Sequence, residues 1–177
     1  MLDPGTKLAG LADVNITEDI PEEWETLEEN ALFKARFVHE RTGMNVFADD
    51  TGLEVEVLNG APGVYSARFA GEDKDSSANI TKLLGLLEGE KNRNARFRTV
   101  IALIYNNSEY LFEGIVKGRI TERKKGTGGF GYDPVFIADG YMQTFAEMAL
   151  SEKNKISHRA RAFDGLRKFL SDNTGAK

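Results

Sequence analysis

The sequence predicts an α/β protein with a mixed β-sheet flanked by helices. Three observations carry that reading. Helical stretches interleave with strand-like ones along the chain. One strand candidate, Phe97–Tyr105, is nearly apolar on both faces from Val100 and belongs in a sheet interior. That strand is joined to the next by Asn106-Asn107-Ser108, a turn short enough to make the pair antiparallel, so the sheet is not all parallel. With 177 residues the chain predicts one domain, or one domain with two lobes. A chain this long buries roughly 70% of its unfolded surface and needs no covalent staples.

Thr26-Leu27-Glu28-Glu29 fits a capping box, with Thr26 as cap and Glu29 three residues on. Leu27, Ala31, Ala35 and Val38 follow at helical spacing, and Thr42-Gly43 ends that helix. Asn45–Ala48 is a short strand candidate, followed by the tight sequence Asp49-Asp50-Thr51-Gly52. Leu53, Val55 and Val57 alternate with Glu54 and Glu56 as in a half-exposed strand, and Asn59–Gly63 is turn chemistry. Ile80, Leu83, Leu84 and Leu87 predict a second helix over about Ser76–Glu88. Tyr110–Ile120 returns from the 106–108 turn as the second arm of a hairpin. Lys124–Asp133 is a loop, Val135–Ile137 a short strand. Ser157 is the predicted cap of a last helix with the apolar stripe Ala162, Phe163, Leu166, Phe169 and Leu170.

Composition removes several function classes. With no cysteine there are no disulfides, thiolate metal sites, iron–sulfur clusters or Cys nucleophiles, and two histidines, His39 and His158, argue against zinc. No apolar run approaches the ~18 residues of a membrane span, and MLDPGTKLAG has no basic region followed by an apolar one. The expectation is a soluble protein of a reducing compartment, the cytoplasm. A net charge of −5 argues against a general nucleic-acid binder. Charge is uneven: residues 13–29 hold eight acids and no base, and residues 153–168 hold six bases and one acid. Two readings stand: a polyanion handled through a divalent metal, or two solvated helix faces.

Four segments carry candidate chemistry. Asp49 and Asp50 follow a predicted strand, where α/β proteins present ligand groups. On an extended chain they point in opposite directions, so one is free to bind a cation or activate water while the other caps backbone. A purely structural turn is the alternative. The loop Gly126–Pro134 has four glycines in six residues but is neither a Walker loop nor G-x-G-x-x-G. Its glycines would let backbone N–H groups approach a ligand. Phe130 and Tyr132 would form a platform for a base, and Asp133 would accept from a ring N–H. A Gly-rich turn with two core aromatics fits equally. Lys153 and Ser157-His158-Arg159 lie before and at a helix start, where anions are favoured and where His158 and Arg159 are donors. Glu22 would complete a hard-cation site with Asp50. His39 has no assigned role.

Taken together, these segments resemble the ITP/XTP pyrophosphatase family, the inosine triphosphatase-like enzymes. The matching blocks are Ile20-Pro21-Glu22, Thr26–Arg36 (TLEENALFKAR), Ala48–Leu53 (ADDTGL), Gly60–Gly71 (GAPGVYSARFAG), Gly126–Phe136 (GTGGFGYDPVF) and Ser157-His158-Arg159, in the family's order. The resemblance implies an elongated two-lobed α/β fold with a cleft between the lobes. It implies Mg²⁺-dependent hydrolysis of ITP, dITP and XTP to monophosphate and pyrophosphate, and a homodimer with neither nucleic-acid polymer nor membrane as partner. Carried over by residue, it makes Asp50 the catalytic carboxylate and a metal-site residue, and Glu22 the second acidic metal position. Thr51 stands where Ser is more common, keeping the hydroxyl. Phe130, Gly131, Tyr132 and Asp133 become the base-binding loop, and Lys153, His158 and Arg159 further substrate contacts.

One family element has no counterpart here: nothing before Asp13 resembles the opening strand and its Thr/Ser-x-Asn-x-x-Lys phosphate loop. Residues 1–12 read as the end of that helix unit and the strand after it, so about 20 residues of an ordinary strand, loop and helix would be lacking. The alternative function is therefore a nucleotide-binding, catalytically weak form. A phosphatase, or a hydrolase of another triphosphate such as a pyrimidine nucleotide, is a third reading.

Overall fold

In a computed structural model, residues 7–174 are described. Nine elements follow in order: α1 (Leu27–Thr42), β1 (Val46–Val55), β2 (Pro62–Gly63), α2 (Ser76–Leu86), β3 (Asn94–Tyr105), β4 (Ser108–Ile120), β5 (Phe136–Ala138), α3 (Leu150–Ile156) and α4 (His158–Thr174). The strands form one sheet in the order β2-β1-β3-β4-β5. The α/β class is as predicted, but every pairing among the described residues is antiparallel rather than mixed. Val55 pairs with Ala95, so the excursion through β2 and α2 begins and ends at one end of the sheet, and β3 returns against β1 instead of crossing over.

The largest local departure concerns β1. The predicted short strand, DDTG turn and second strand are one continuous strand. Asp49, Asp50, Thr51 and Gly52 pair with Ile101, Val100, Thr99 and Arg98 of β3. A central strand offering an unbroken ladder overrides the turn preference of Asp-Asp and Gly. The chain leaves the ladder after Val55 in a 3-10 turn over Glu56–Leu58, so Val57 is not part of the strand. At the chain start, residues 7–10 form neither helix nor strand and Leu11–Val14 is a 3-10 turn, in place of the strand expected there. Residues 1–6 lie outside the described residues.

Other elements follow the residues that predicted them. The Thr26 hydroxyl accepts from the Glu29 N–H at 3.1 Å, and Glu29 answers by accepting from that hydroxyl at 2.8 Å. Gly43 closes α1 at φ 66°, donating its N–H to the His39 carbonyl. Asn106 and Asn107 at φ 51° and 62° make the two-residue hairpin turn. Helix α2 ends at Leu86, two residues early; β4 starts at Ser108, and the last strand runs one residue later than predicted. The short helix α3 had no sequence signal beyond its length.

Odd-numbered β1 and β3 residues face α4, and even-numbered ones face α1. The α1 side buries Leu27, Ala31 and Ala35 against Val100, Ala102 and Ile104. The α4 side buries Ala162 and Leu166 against Ile101 and Leu103. Toward the other end of the sheet, Leu53, Val55 and Phe97 meet α2 and the segment around Phe136 and Phe145. Each fully buried Leu or Phe in these clusters contributes roughly 1.5–3 kcal/mol. Arg98 ties the layers together, pairing with Glu28 of α1 and, at 2.5 Å, with Glu113 of β4.

Helix α4 starts against Gly114 of β4, where a Cβ would lie 2.0 Å from the His158 carbonyl oxygen and 2.4 Å from the Ala162 nitrogen. Both obstacles are backbone, so a side chain there displaces the helix. Gly114→Ala should therefore destabilise by about 2 kcal/mol or more, read as a fall in Tm of roughly 4–8 °C. An unchanged Tm would show that α4 is not seated directly on this strand.

Candidate active site

Strand β1 divides the site because its two aspartates leave on opposite faces. On the α1 face, Lys34 extends from α1 and places its ammonium 2.7 Å from Glu22 Oε1 and 3.1 Å from Asp50 Oδ1. Glu22 comes from the segment before α1, and Arg68 fixes it there by donating to the Glu22 carbonyl at 2.6 Å. The second oxygen of Asp50, Oδ2, is buried with no hydrogen-bond partner. Burial raises the Asp50 pKa above the usual carboxylate value, with Lys34 pulling the other way. Burial also works to lower the pKa of Lys34, but the Asp50 and Glu22 carboxylates outweigh it and hold the ammonium above its ordinary value.

On the α4 face, Arg159 grips Asp49, donating Nη2 at 3.0 Å and Nε at 3.2 Å to the same Oδ2. The Thr51 hydroxyl lies 2.7 Å from that of Thr99, which is fully buried, and Arg159 reaches Thr51 at 3.4 Å. His158 stacks on Phe97 with ring centroids 4.6 Å apart, and its Nδ1 is buried without a partner. Burial first, then the charges of Arg159 and Lys153, push the His158 pKa down to about 3. The ring is therefore neutral throughout the physiological range.

The glycine loop closes the site. Its glycines serve packing more than ligand approach: a Cβ on Gly129 would strike the Asp133 carboxylate at 2.0 Å, and one on Gly126 the Ala146 backbone at 2.6 Å. The N–H groups of Gly128 and Phe130 are spent on the Ala146 carbonyl and Asp133 Oδ2. Gly131, at φ 56°, has open space around it. Phe130 is exposed at the mouth, with the Lys153 ammonium 4.9 Å and the Arg159 guanidinium 5.8 Å from its ring centroid. Tyr132 is buried and donates its hydroxyl to the Ser66 carbonyl at 2.9 Å, so the exposed part of the expected platform is Phe130. Burial raises the Tyr132 pKa, keeping the phenol protonated. Asp133 forms a buried ion pair with Lys153, the two side chains 3% and 10% exposed.

One cavity of about 390 Å³ gathers nearly all the predicted residues. Glu22, Asp50, Thr51, Phe130, Gly131, Tyr132, Asp133, His158 and Arg159 line it. Lys153 does not: it stands behind the wall, bracing Asp133. The acidic and basic runs contribute little else. Most of their side chains are exposed, Glu22 and Glu28 half-buried and Lys153 buried being the exceptions. Sequence reasoning missed Lys34, Asp49 as the Arg159 anchor, Thr99 and Arg68. Lys34 is placed by helical spacing from a block already singled out, Thr26–Arg36, whereas Thr99 shows only once the β1–β3 register is known.

Among the described residues no group of three or more His, Asp or Glu side chains could hold a metal. Two carboxylates, Glu22 and Asp50, do converge, and Asp50 Oδ2 is an unused acceptor beside them. That donor set fits a hard divalent ion that takes one or two carboxylates and completes its shell with water and phosphate oxygens.

The chain is similar to known proteins over nearly its whole length. The chain is 51% identical to a dITP/XTP pyrophosphatase of Flavobacterium psychrophilum over 172 residues, covering 97% of this chain and 90% of that protein. It is 54% identical to a dITP/XTP pyrophosphatase of Christiangramia forsetii over 165 residues, covering 93% and 87%. Among solved structures, the Ham1 protein of Staphylococcus aureus superposes with a TM-score of 0.89 at 41% identity, over 93% of this chain and 86% of that one. A nucleoside-triphosphatase, dITP/XTP pyrophosphatase, from Mycobacterium abscessus gives 0.79 at 42% identity, over 92% and 87%. The Ham1 family model matches residues 1–169, and with these similarities the chain belongs to the Ham1 family.

Proposed function

We propose that this protein hydrolyses ITP, dITP and XTP to the monophosphate and pyrophosphate with Mg²⁺, clearing deaminated purines from the nucleotide pool. The observation that carries the reading is Asp50. It is a half-buried, strand-held carboxylate with one oxygen on Lys34 and the other, Oδ2, buried and unpaired, in the same cavity as Phe130, His158 and Arg159. The relatives named dITP/XTP pyrophosphatase support it, and they weigh against the catalytically weak alternative. The finer features we propose are a homodimer acting in the cytoplasm on a small-molecule nucleotide, with neither nucleic-acid polymer nor membrane as partner. The two lobes expected from the sequence correspond, on this reading, to the two ends of the sheet on either side of the cavity.

Glu22 and Asp50 are the residues that would hold Mg²⁺, which would supply positive charge to offset what builds up in phosphoryl transfer. Asp50 orients water toward the α-phosphorus and takes its proton. The new O–P bond forms as the bond to the β-phosphate oxygen breaks, and pyrophosphate leaves. Lys34 supplies a positive charge beside the reacting phosphates. Phe130 stacks on the base, and Arg159, steadied by Asp49, donates toward a 6-oxo group. Adenine presents the reverse hydrogen-bond pattern at that edge and would leave the Arg159 donor without an acceptor.

A nucleotide panel with product identification, run with and without Mg²⁺, tests this. Pyrophosphate should be released from ITP, dITP and XTP ahead of ATP, and only with the metal. Orthophosphate as the first product, or a pyrimidine nucleotide ranked first, would overturn the reading. Tight ITP binding without turnover would favour the weak alternative. His158 gives a separate expectation. Its folded pKa of about 3 lies below the ordinary 6.5, so its contribution to stability is fully present above pH 6.5 and is lost as pH falls toward 3. Its imidazole NMR signals should stay unshifted between pH 8 and 5, and a titration midpoint in that window would contradict the burial described.

A further inference from the structure

We infer that Lys34 is the resident cation of the Glu22–Asp50 site, holding the two carboxylates together in the nucleotide-free protein, and that a divalent ion binds there only as the ammonium leaves. The inference rests on the reading of Glu22 and Asp50 as metal-binding residues.

The geometry is that of a bridge. One ammonium sits 2.7 Å from a carboxylate oxygen of Glu22 and 3.1 Å from one of Asp50, with the Lys34 side chain 15% exposed. These carboxylates come from different elements, and two neighbouring cations are engaged elsewhere. Arg159 pairs with Asp49 on the opposite face of the sheet, and Arg68 donates to the Glu22 backbone. Lys34 is thus what keeps two partly buried like charges from repelling one another. A divalent ion entering between the same oxygens would meet the ammonium in contact with them, and two cations sharing one pair of ligands exclude each other.

Lys34 also has somewhere to go. It lines the active cavity and, on its other side, a second cavity of about 590 Å³ walled by Leu11, Ile20, Val38 and Ala48. Its flexible stem thus borders open space on two sides. A triphosphate in the active cavity would give the released ammonium a new anionic partner. Metal and nucleotide would then each favour the other's binding, metal alone binding weakly and metal with nucleotide tightly.

The test is calorimetric titration of the folded protein with Mn²⁺ alone. Lys34→Met should bind Mn²⁺ about tenfold tighter or more than the wild type. Adding Glu22→Gln should cancel the gain, and Lys34→Arg, which keeps the cation, should bind as weakly as the wild type. Equal or weaker binding by Lys34→Met overturns the proposal. A measurement without variants guards against a misfolded mutant. The acetylation rate of Lys34 by acetic anhydride, read by mass spectrometry, should rise when the wild type is saturated with Mn²⁺, and an unchanged or lower rate overturns the proposal. Failure of the underlying reading looks different. If no form binds Mn²⁺ with or without ITP, the metal site falls and this inference with it. If Mn²⁺ alone binds equally to wild type and Lys34→Met while both bind it with ITP, the competition alone is refuted.

Discussion

The site depends on the uninterrupted pairing of β1 with β3 through Asp49-Asp50-Thr51-Gly52. Had these residues formed the turn their composition favours, both carboxylates would sit on one exposed loop. Held in a ladder, they are fixed by the two-residue alternation of a strand. Asp49 goes to Arg159, and Asp50 goes to Lys34 and the buried space around it. The same ladder sets Thr51 opposite Thr99, so the hydroxyl next to Asp50 is held from the interior of the sheet.

The surrounding structure serves to keep that strand and its partners in place. Helix α1 presents Lys34 to β1 because Leu27, Ala31 and Ala35, neighbouring positions on the same face, bury that face against β3. Helix α4 presents His158 and Arg159 because Gly114 lets its first turn rest on the sheet backbone. The glycine loop is held from beneath by the Asp133–Lys153 ion pair. Removing one partner would leave a buried charge uncompensated, and such losses are large. Phe130 is left as the exposed ring over a rigid floor, a suitable arrangement for stacking on a planar ligand.

Much of this was legible in the sequence. Local signals worked where local physics decides. Thr26 caps α1, Gly43 stops it, Asn106-Asn107 turns the hairpin, and the apolar stripe from Ala162 to Leu170 lies on the sheet. The ordered blocks also pointed to the residues that meet in the cavity, Lys153 excepted. What was not legible depends on partners far along the chain. The DDTG segment reads as a turn until β3 is set beside it. The glycines of the loop read as ligand-facing until Ala146 and the Asp133 carboxylate are seen against them. Lys34 reads as one more helix-surface lysine until Glu22 and Asp50 are brought to its tip. The antiparallel return of β3 was hidden because a helix between two strands suggests a crossover.

The central claim is that β1 gives its two aspartates separate work, with Asp50 acting in the chemistry and Asp49 acting through Arg159 on the substrate. The most direct measurement compares steady-state kinetics of Asp50→Asn and Asp49→Asn on ITP, each with its Tm. The account predicts that Asp50→Asn lowers kcat by about 10²–10⁴-fold with little change in KM, whereas Asp49→Asn raises KM more than it lowers kcat, both proteins remaining folded. Loss of kcat in both variants alike, or normal turnover in Asp50→Asn, would contradict it.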